Sequence, residues 1–119
     1  MTYVLFLDDK RNPKDVPQNS FLKETDLEIV TIRSFNEGME YVEKHGFPQH
    51  VSFDYFLDEE FSRRNGALFS QFLLSYELEN QTMPSDFSYF VHSDYDHAKK
   101  EIDELFGNYV NCKLQGKPW

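Results

Sequence analysis

The sequence has too few cysteines and too short apolar runs for several classes of protein. Cys112 is the only cysteine, so the chain cannot form an intramolecular disulfide or supply the paired cysteines of a typical structural zinc site. The longest apolar runs are a few residues, far short of the roughly 20 that a membrane-spanning helix needs. The N-terminus carries no charged-then-apolar leader, so we expect a reduced, cytoplasmic protein with no membrane partner.

Basic side chains are also scarce. The 119 residues include 12 Lys and Arg against 21 Asp and Glu, for a formal net charge of −9. Electrostatic binding along a long nucleic acid needs clustered Lys and Arg, so the acidic net charge argues against such binding. A local basic site is still compatible with this charge. The length favours a single domain over residues 1–119. The 12 Phe and 7 Tyr make intrinsic disorder unexpected, and we assign them first to core packing.

Short apolar segments alternate with helical patterns along the chain. The apolar segments predict strands at residues 3–7, 27–33, 50–56 and 87–91. Helices are predicted after a capping box at Ser34, over residues 67–78, and after a second capping box at Ser93. We expect loops at residues 10–26 and 58–66, and a short fifth strand at residues 110–114. This order predicts an α/β domain with a parallel sheet of four or five strands and right-handed crossovers.

Acidic residues stand where two of the predicted strands end. Asp8 and Asp9 close the first strand, and Asp54 lies at the third. Ligands of parallel α/β sheets bind beyond the carboxyl ends of the strands, which would bring these three carboxylates together. Their mutual repulsion in a partly buried site would be relieved by Mg²⁺, which prefers oxygen ligands. The plainer interpretation of Asp8 and Asp9 is turn chemistry before a proline-containing loop.

Other residues near the strand ends have the chemistry to contact a phosphate. Arg11 and Arg33 are the nearest guanidinium groups, and guanidinium pairs with phosphate through two hydrogen bonds. His92 and Ser93 follow the fourth strand, where His92 is a candidate general acid or base and Ser93 a hydrogen-bond donor. The plainer interpretations are a structural histidine and a helix-capping serine.

Together these motifs resemble the cyclic-phosphate processing receiver domain, a variant of the response-regulator receiver. The opening Leu7-Asp8-Asp9-Lys10-Arg11-Asn12-Pro13 matches the family's leucine-aspartate-aspartate segment with its Arg and Pro. The segments Thr31-Ile32-Arg33-Ser34-Phe35, Ser52-Phe53-Asp54, Asn65-Gly66-Ala67 and Val91-His92-Ser93 match the later motifs. The resemblance spans roughly residues 3–106. It implies a flavodoxin-like three-layer fold in which a loop replaces the first receiver helix.

The resemblance also implies a function and a setting in bacteria or phages, hence a bacterial or host cytoplasm. Mg²⁺ would be held by Asp8, Asp9 and Asp54. The phosphate would be bound by Arg11, Arg33 and Ser93. Catalysis would involve His92 and Asp54. The ligand would be small: a cyclic or terminal phosphate of a nucleotide or RNA end.

The chain departs from the family pattern at two places, and these departures keep other functions open. Asp54-Tyr55-Phe56-Leu57 stands where the family has Asp-His-Asp-Leu, and the segment Tyr95–Ala98 lacks the family's Asn-Pro and Gly. A non-catalytic module that sequesters a nucleotide or docks on a protein is therefore an alternative to a phosphoesterase. A third hypothesis is a signalling receiver phosphorylated at Asp54. It needs a Thr or Ser after strand four, where Ser93 could serve, and a Lys after strand five, where Lys113 is a weak stand-in.

Overall fold

A parallel four-stranded sheet forms the centre of the computed structural model, which describes residues 2–57, 65–93 and 95–118. The loop predicted at residues 58–66 lies mostly outside the described residues. The sheet has the order β2-β1-β3-β4, with every neighbouring pair parallel. Its strands are β1 (Val4–Leu7), β2 (Ile29–Ile32), β3 (His50–Phe53) and β4 (Ser88–Val91). The predicted α/β class and the four strands at these places are confirmed.

The two central strands are the ones whose residues are buried on both faces. Every residue of β1 and β3 is buried, whereas β2 and β4 form the edges and are mostly half-buried. Parallel strands covered on both sides need side chains that tolerate burial in every position, and this explains the continuous apolar run of β1.

The strand register brings the carboxyl ends of three strands level with one another. Leu7 pairs with Phe53, and Phe53 pairs with Val91. The ladder continues for one more residue on each strand, because Asp54 N–H donates to Leu7 O at 2.9 Å and His92 N–H donates to Phe53 O at 2.9 Å. The residues that follow β1, β3 and β4 therefore meet at one edge of the sheet.

Five α-helices accompany the strands in the described part of the chain. They are α1 (Ser20–Glu24), α2 (Phe35–His45), α3 (Gly66–Asn80), α4 (Ala98–Ile102) and α5 (Asn108–Leu114). Ser34 is confirmed as the N-cap, because its Oγ accepts a hydrogen bond from Glu37 N–H. The return bond differs from that of a capping box, since Glu37 Oε1 accepts from the N–H of Arg33, one residue before the cap. Helix α2 ends at Gly46, whose φ of 94° suits a glycine. None of the helices in these ranges is long and apolar enough to cross a membrane.

The structure corrects the prediction for the loop at residues 10–26. This segment contains a short 3₁₀ turn, Pro13–Asp15, and the five-residue helix α1. Asn19 starts α1, because its Oδ1 accepts a hydrogen bond from Phe21 N–H at 3.1 Å. Val16 and Leu22 then pack against the sheet, so part of the segment is ordered by burial that its turn-rich composition did not indicate.

The C-terminal predictions need two corrections. Residues 110–114, predicted as a fifth strand, belong to α5, which continues from α4 through one π-helical turn, Asp103–Gly107. Phe106, Tyr109 and Val110 extend the apolar stripe of α4 into the core, and this packing favours helix over strand. Ser93 does not cap this helix, since α4 begins at Ala98 with His97 at its N-cap position.

Two apolar clusters of unequal size make the three layers. The larger cluster joins one face of the sheet, including Leu5 and Phe53, to α2, α3 and the C-terminal helices. The smaller cluster covers the other face with Val4, Phe6, Val16 and Leu22.

A buried carboxylate ties the C-terminal helix to the end of α3. Glu77 Oε1 accepts backbone hydrogen bonds from Thr82 and Met83 at 2.7 Å each, and Oε2 accepts from Tyr109 Oη at 3.0 Å and Lys113 Nζ at 2.8 Å. Burial alone would raise the pKa of Glu77, but these hydrogen bonds, led by Lys113, bring it below the usual value.

Candidate functional site

The level strand ends form a cleft that contains most of the residues predicted for the site. A cavity of about 470 Å³ lies over this edge, and its walls include Asp8, Asp9, Arg11, Asp54 and Ser93. Ligand atoms of Asp8, Asp54 and His92 all lie within 4.8 Å of one another. The predicted convergence of the acidic residues is therefore present in the structure.

Asp8 is held by four hydrogen bonds. Its Oδ1 accepts from the backbone N–H groups of Lys10 and Arg11, both at 2.8 Å. Its Oδ2 faces Arg11 Nε at 2.8 Å and His92 Nε2 at 3.0 Å. Burial by itself raises the pKa of Asp8, but the backbone hydrogen bonds from Arg11 and Lys10 and the side-chain bonds outweigh it and lower the pKa. Asp8 is therefore a fixed, ionised carboxylate.

Arg11 places a positive charge between two of the carboxylates. Its Nε donates to Asp8, while Nη2 lies 3.5 Å from Asp54 Oδ1 and 3.3 Å from the carbonyl oxygen of His92. About a third of its side-chain surface is exposed, and Arg11 lines the cleft. The guanidinium thus neutralises part of the negative charge of the acidic cluster, mainly that of Asp8.

Asp54 is less well compensated than Asp8. Oδ1 accepts a hydrogen bond from Tyr55 N–H at 2.8 Å and makes the long contact with Arg11. Burial first, and then repulsion from Asp8, raise the pKa of Asp54 to about 6. At neutral pH this carboxylate is mostly ionised and repelled by its neighbour, which is the electrostatic condition that a cation would relieve.

The start of α3 packs directly against the backbone of Asp54. Gly66 N–H donates to the carbonyl oxygen of Tyr55 at 2.7 Å, and a Cβ on Gly66 would lie 1.9 Å from the carbonyl oxygen of Asp54. Only glycine permits so close an approach, so Gly66 fixes the end of β3 relative to α3.

His92 lies behind Asp8 rather than in the cleft. Its side chain is 1% exposed, and its ring stacks on Phe6 with centroids 4.8 Å apart and planes at 2°. Nδ1 lies 2.6 Å from Ser52 Oγ. Because an ionised Asp8 can only accept, Nε2 carries the proton toward it, and a neutral ring then accepts at Nδ1 from the Ser52 hydroxyl.

Ser52 is a site residue that the sequence analysis missed. It completes a Ser–His–Asp line, yet it is completely buried, so this line orients Asp8 and cannot present a nucleophile to substrate. The sequence did contain a signal for it: Ser52 is a polar residue in the middle of a strand predicted to be buried, and a buried hydroxyl needs a hydrogen-bond partner.

Arg33 and Ser93 occupy different places relative to the cleft. Arg33 is not among the cleft-lining residues; its guanidinium donates to the carbonyl oxygens of Asp8 and Arg11 and, at 2.5 Å, to Asn12 Oδ1. Arg33 thereby stabilises the loop that follows β1. Ser93 lines the cleft, and its Oγ accepts a hydrogen bond from Tyr95 N–H at 3.2 Å.

Three aromatic side chains stand beside the carboxylates, and we call Tyr55, Phe56 and Tyr95 the aromatic cluster. Their ring centroids are 4.9 Å apart for Tyr55–Phe56, 4.6 Å for Tyr55–Tyr95 and 5.6 Å for Phe56–Tyr95. Phe56 is 57% exposed and Tyr95 37% exposed, and both line the cleft. The sequence analysis assigned the aromatic excess to core packing, and for these two residues that assignment is wrong.

Comparison with known proteins supports the architecture described above. The family model of the cyclic-phosphate processing Receiver domain matches residues 3–108. A search of the curated proteins found no match.

Two solved structures share the fold. A fusion containing the yeast Spc42 trimeric coiled coil aligns with a TM-score of 0.53 at 12% identity, over 97% of this chain and 80% of that chain. NtrX from Brucella abortus aligns with a TM-score of 0.51 at 14% identity, over 98% of this chain and 28% of that one. At these identities the likeness shows the fold alone.

Proposed function

The chain belongs to the cyclic-phosphate processing Receiver domain family, and on that premise we propose that it binds a small phosphate-bearing ligand with Mg²⁺. The ligand would be a cyclic or terminal phosphate of a nucleotide or RNA end. One observation carries the proposal: Asp8, Asp9 and Asp54 line one cleft together with Arg11, which bridges two of them.

The donor set of the cleft suits a hard divalent cation. Carboxylate oxygens are the ligands that Mg²⁺ prefers, and Asp8, Asp9 and Asp54 would supply them. His92 is a poor ligand, because its Nε2 proton already points at Asp8. Asp8 Oδ2 already accepts hydrogen bonds from Arg11 and His92. This oxygen therefore becomes available to a cation only when the Arg11 guanidinium moves away from it. A bound Mg²⁺ would polarise a phosphoryl oxygen and lower the pKa of a coordinated water.

Side chains of the protein would bind the phosphate and orient the metal ligands. Arg11 is partly exposed and would turn its guanidinium from Asp8 to the phosphate, which it can pair through two hydrogen bonds. Ser93 offers a hydroxyl to the same cleft. For His92, whose side chain is buried, we propose the role of orienting Asp8 in place of the acid–base role expected from the sequence.

Calorimetric titration of Mg²⁺ and then of a nucleoside 2′,3′-cyclic phosphate into chelator-treated protein tests the proposal. We expect Mg²⁺ to bind the wild type and to be required for tight ligand binding, and Asp54→Asn to abolish both. The matched control is Asp26→Asn, which removes one exposed carboxylate outside the cleft. Unchanged Mg²⁺-dependent binding in Asp54→Asn would refute the proposed site.

A non-catalytic binding module is the second candidate, and the burial of His92 favours it. No histidine is among the described residues that line the cleft, so hydrolysis there would lack an imidazole to move a proton. Chromatography of the ligand after incubation with saturating protein and Mg²⁺ separates the two candidates: product formation selects the phosphoesterase, and binding without product selects the binder.

The signalling-receiver hypothesis loses the lysine on which it depended. Lys113 lies on α5 and donates to Glu77 Oε2 and Gln81 Oε1, at 2.8 Å each. It therefore serves the link between α3 and α5.

A further inference from the structure

Phe56 and Tyr95 of the aromatic cluster are exposed, unlike the other Phe and Tyr side chains of the described residues. Rings such as Phe53, Phe69 and Phe106 are buried in the core. Phe56, by contrast, leaves more than half of its surface in contact with solvent, directly beside the carboxylates of Asp8 and Asp54. Two exposed aromatic rings lining the same polar cleft are a feature of ligand sites, in which apolar walls accompany a few polar groups.

Contacts with neighbouring helices also fix the position of the aromatic cluster. Tyr55 is half-buried, contacts both exposed rings, and has the carboxylate of Glu101 on α4 as an electrostatic neighbour. The backbone of Phe56 forms an antiparallel bridge with Asn65, the N-cap of α3. Contacts with α4 and with the residue before α3 thus hold the rings in place, and little ordering would be needed when a flat ligand packs on them.

Resting on the proposed function, we infer that the aromatic cluster is a stacking surface for the base of a nucleoside phosphate. The cleft has two chemically distinct parts: Arg11 and Ser93 suit an anionic group, and Phe56 and Tyr95 suit a flat apolar one. A nucleotide joins these two groups in one small molecule. The cleft volume of about 470 Å³ lies within the usual range for small-molecule sites, roughly 300–1,000 Å³.

The same chemistry predicts how selective the site is. Stacking depends on the face of the base, and all bases have one, so the cluster tolerates any base. Ligands that lack a base lose this contribution, which is worth roughly 5- to 150-fold in affinity for each stacked base. The net charge of −9 opposes binding of a longer strand, so the ligand is a mononucleotide or the terminal nucleotide of a short RNA.

Calorimetry with two matched probes tests the inference in the presence of Mg²⁺. One probe is adenosine 2′,3′-cyclic phosphate, and the other is the methyl riboside 2′,3′-cyclic phosphate, which has the same sugar and phosphate but no base. The proteins compared are the wild type, Phe56→Ala, Tyr95→Ala and the conservative Phe56→Tyr. Leu114→Ala is the matched control, since Leu114 is another exposed apolar residue but does not line the cleft.

We expect the wild type to bind the adenosine probe about tenfold more tightly than the base-free probe. Phe56→Ala and Tyr95→Ala should weaken only the adenosine probe, whereas Phe56→Tyr and Leu114→Ala should leave both affinities unchanged. The base-free probe also reports whether each variant remains folded at the site.

Other outcomes distinguish failure of this inference from failure of the proposed function. Equal affinity of the wild type for both probes, or an adenosine preference that survives both alanine substitutions, overturns the stacking surface and leaves the phosphate site standing. Binding of neither probe overturns both, and would point to the aromatic cluster as a protein-docking surface.

Discussion

Replacing Asp54 by asparagine is expected to stabilise the metal-free protein at alkaline pH, although it removes a residue of the proposed site. The Asp54 carboxylate is buried and repelled by Asp8, and the contact with Arg11 is long. Asparagine keeps an oxygen that can accept the hydrogen bond from Tyr55 N–H but carries no charge. The substitution therefore removes the repulsion while it retains the local hydrogen bond.

The size and direction of this effect follow from the pKa of Asp54. The pKa is about 6 in the folded protein against an ordinary value of 3.8, so ionisation of Asp54 opposes folding. The cost is nearly absent at about pH 4, grows as the pH rises toward 6, and is complete above about pH 7. The full difference corresponds to about 3 kcal/mol of unfolding free energy.

Urea unfolding in a chelating buffer, followed by circular dichroism, measures the effect. At pH 8 we expect Asp54→Asn to exceed the wild type by about 3 kcal/mol, and near pH 4 by less than about 1 kcal/mol. Asp26→Asn should show neither change, because Asp26 is exposed outside the cleft. Saturating Mg²⁺ should stabilise the wild type and not Asp54→Asn. An asparagine variant that is less stable than the wild type at pH 8, or a difference independent of pH, would refute the reasoning.

Three further substitutions test the packing that supports the site. Glu77→Gln should lower the unfolding free energy by roughly 2–3 kcal/mol, because it removes the charge from a buried carboxylate with four hydrogen bonds; an unchanged urea midpoint would contradict this. Ser52→Ala should cost about 1–3 kcal/mol and weaken Mg²⁺ binding in calorimetry, because His92 Nδ1 loses its partner and Asp8 its orientation; unaltered Mg²⁺ affinity would argue against the orienting role. Gly66→Ala should destabilise the protein by about 1–3 kcal/mol or more in thermal unfolding, since its Cβ would collide with the Asp54 carbonyl oxygen, and wild-type stability would show that this junction can relax.

The fold was largely predictable because its strongest signals are local. The unbroken apolar run of β1 follows from burial on both faces. The N-cap Ser34 and the C-cap Gly46 mark both ends of α2 and can be recognised in the sequence. The C-terminal segment was mispredicted because residues 110–114 are short and mixed in pattern. Their conformation depends on Tyr109 and Val110 packing against the core as a continuation of α4.

The candidate site was predictable in part, for a related reason. A parallel sheet brings the residues after its strands to one edge, so the meeting of Asp8 with Asp54 followed from strand order and chain position alone. Which residue faces which depends on side-chain direction and distance. The burial of His92 against Phe6 and the turn of Arg33 toward backbone carbonyls have no counterpart in the sequence pattern.

The sequence by itself determined the parallel α/β architecture and the gathering of acidic residues at one edge, because periodicity and strand-end position express these features locally. Its motifs carried the resemblance to the family, which the family model over residues 3–108 bears out. Tertiary structure alone decided the arrangement of the candidate site. It placed Arg11 between two carboxylates, Ser52 and His92 behind Asp8, and exposed aromatic rings beside the acidic cleft. These arrangements join residues as far as 84 positions apart in the chain, and their energies depend on distances and burial that arise only when the strands pair.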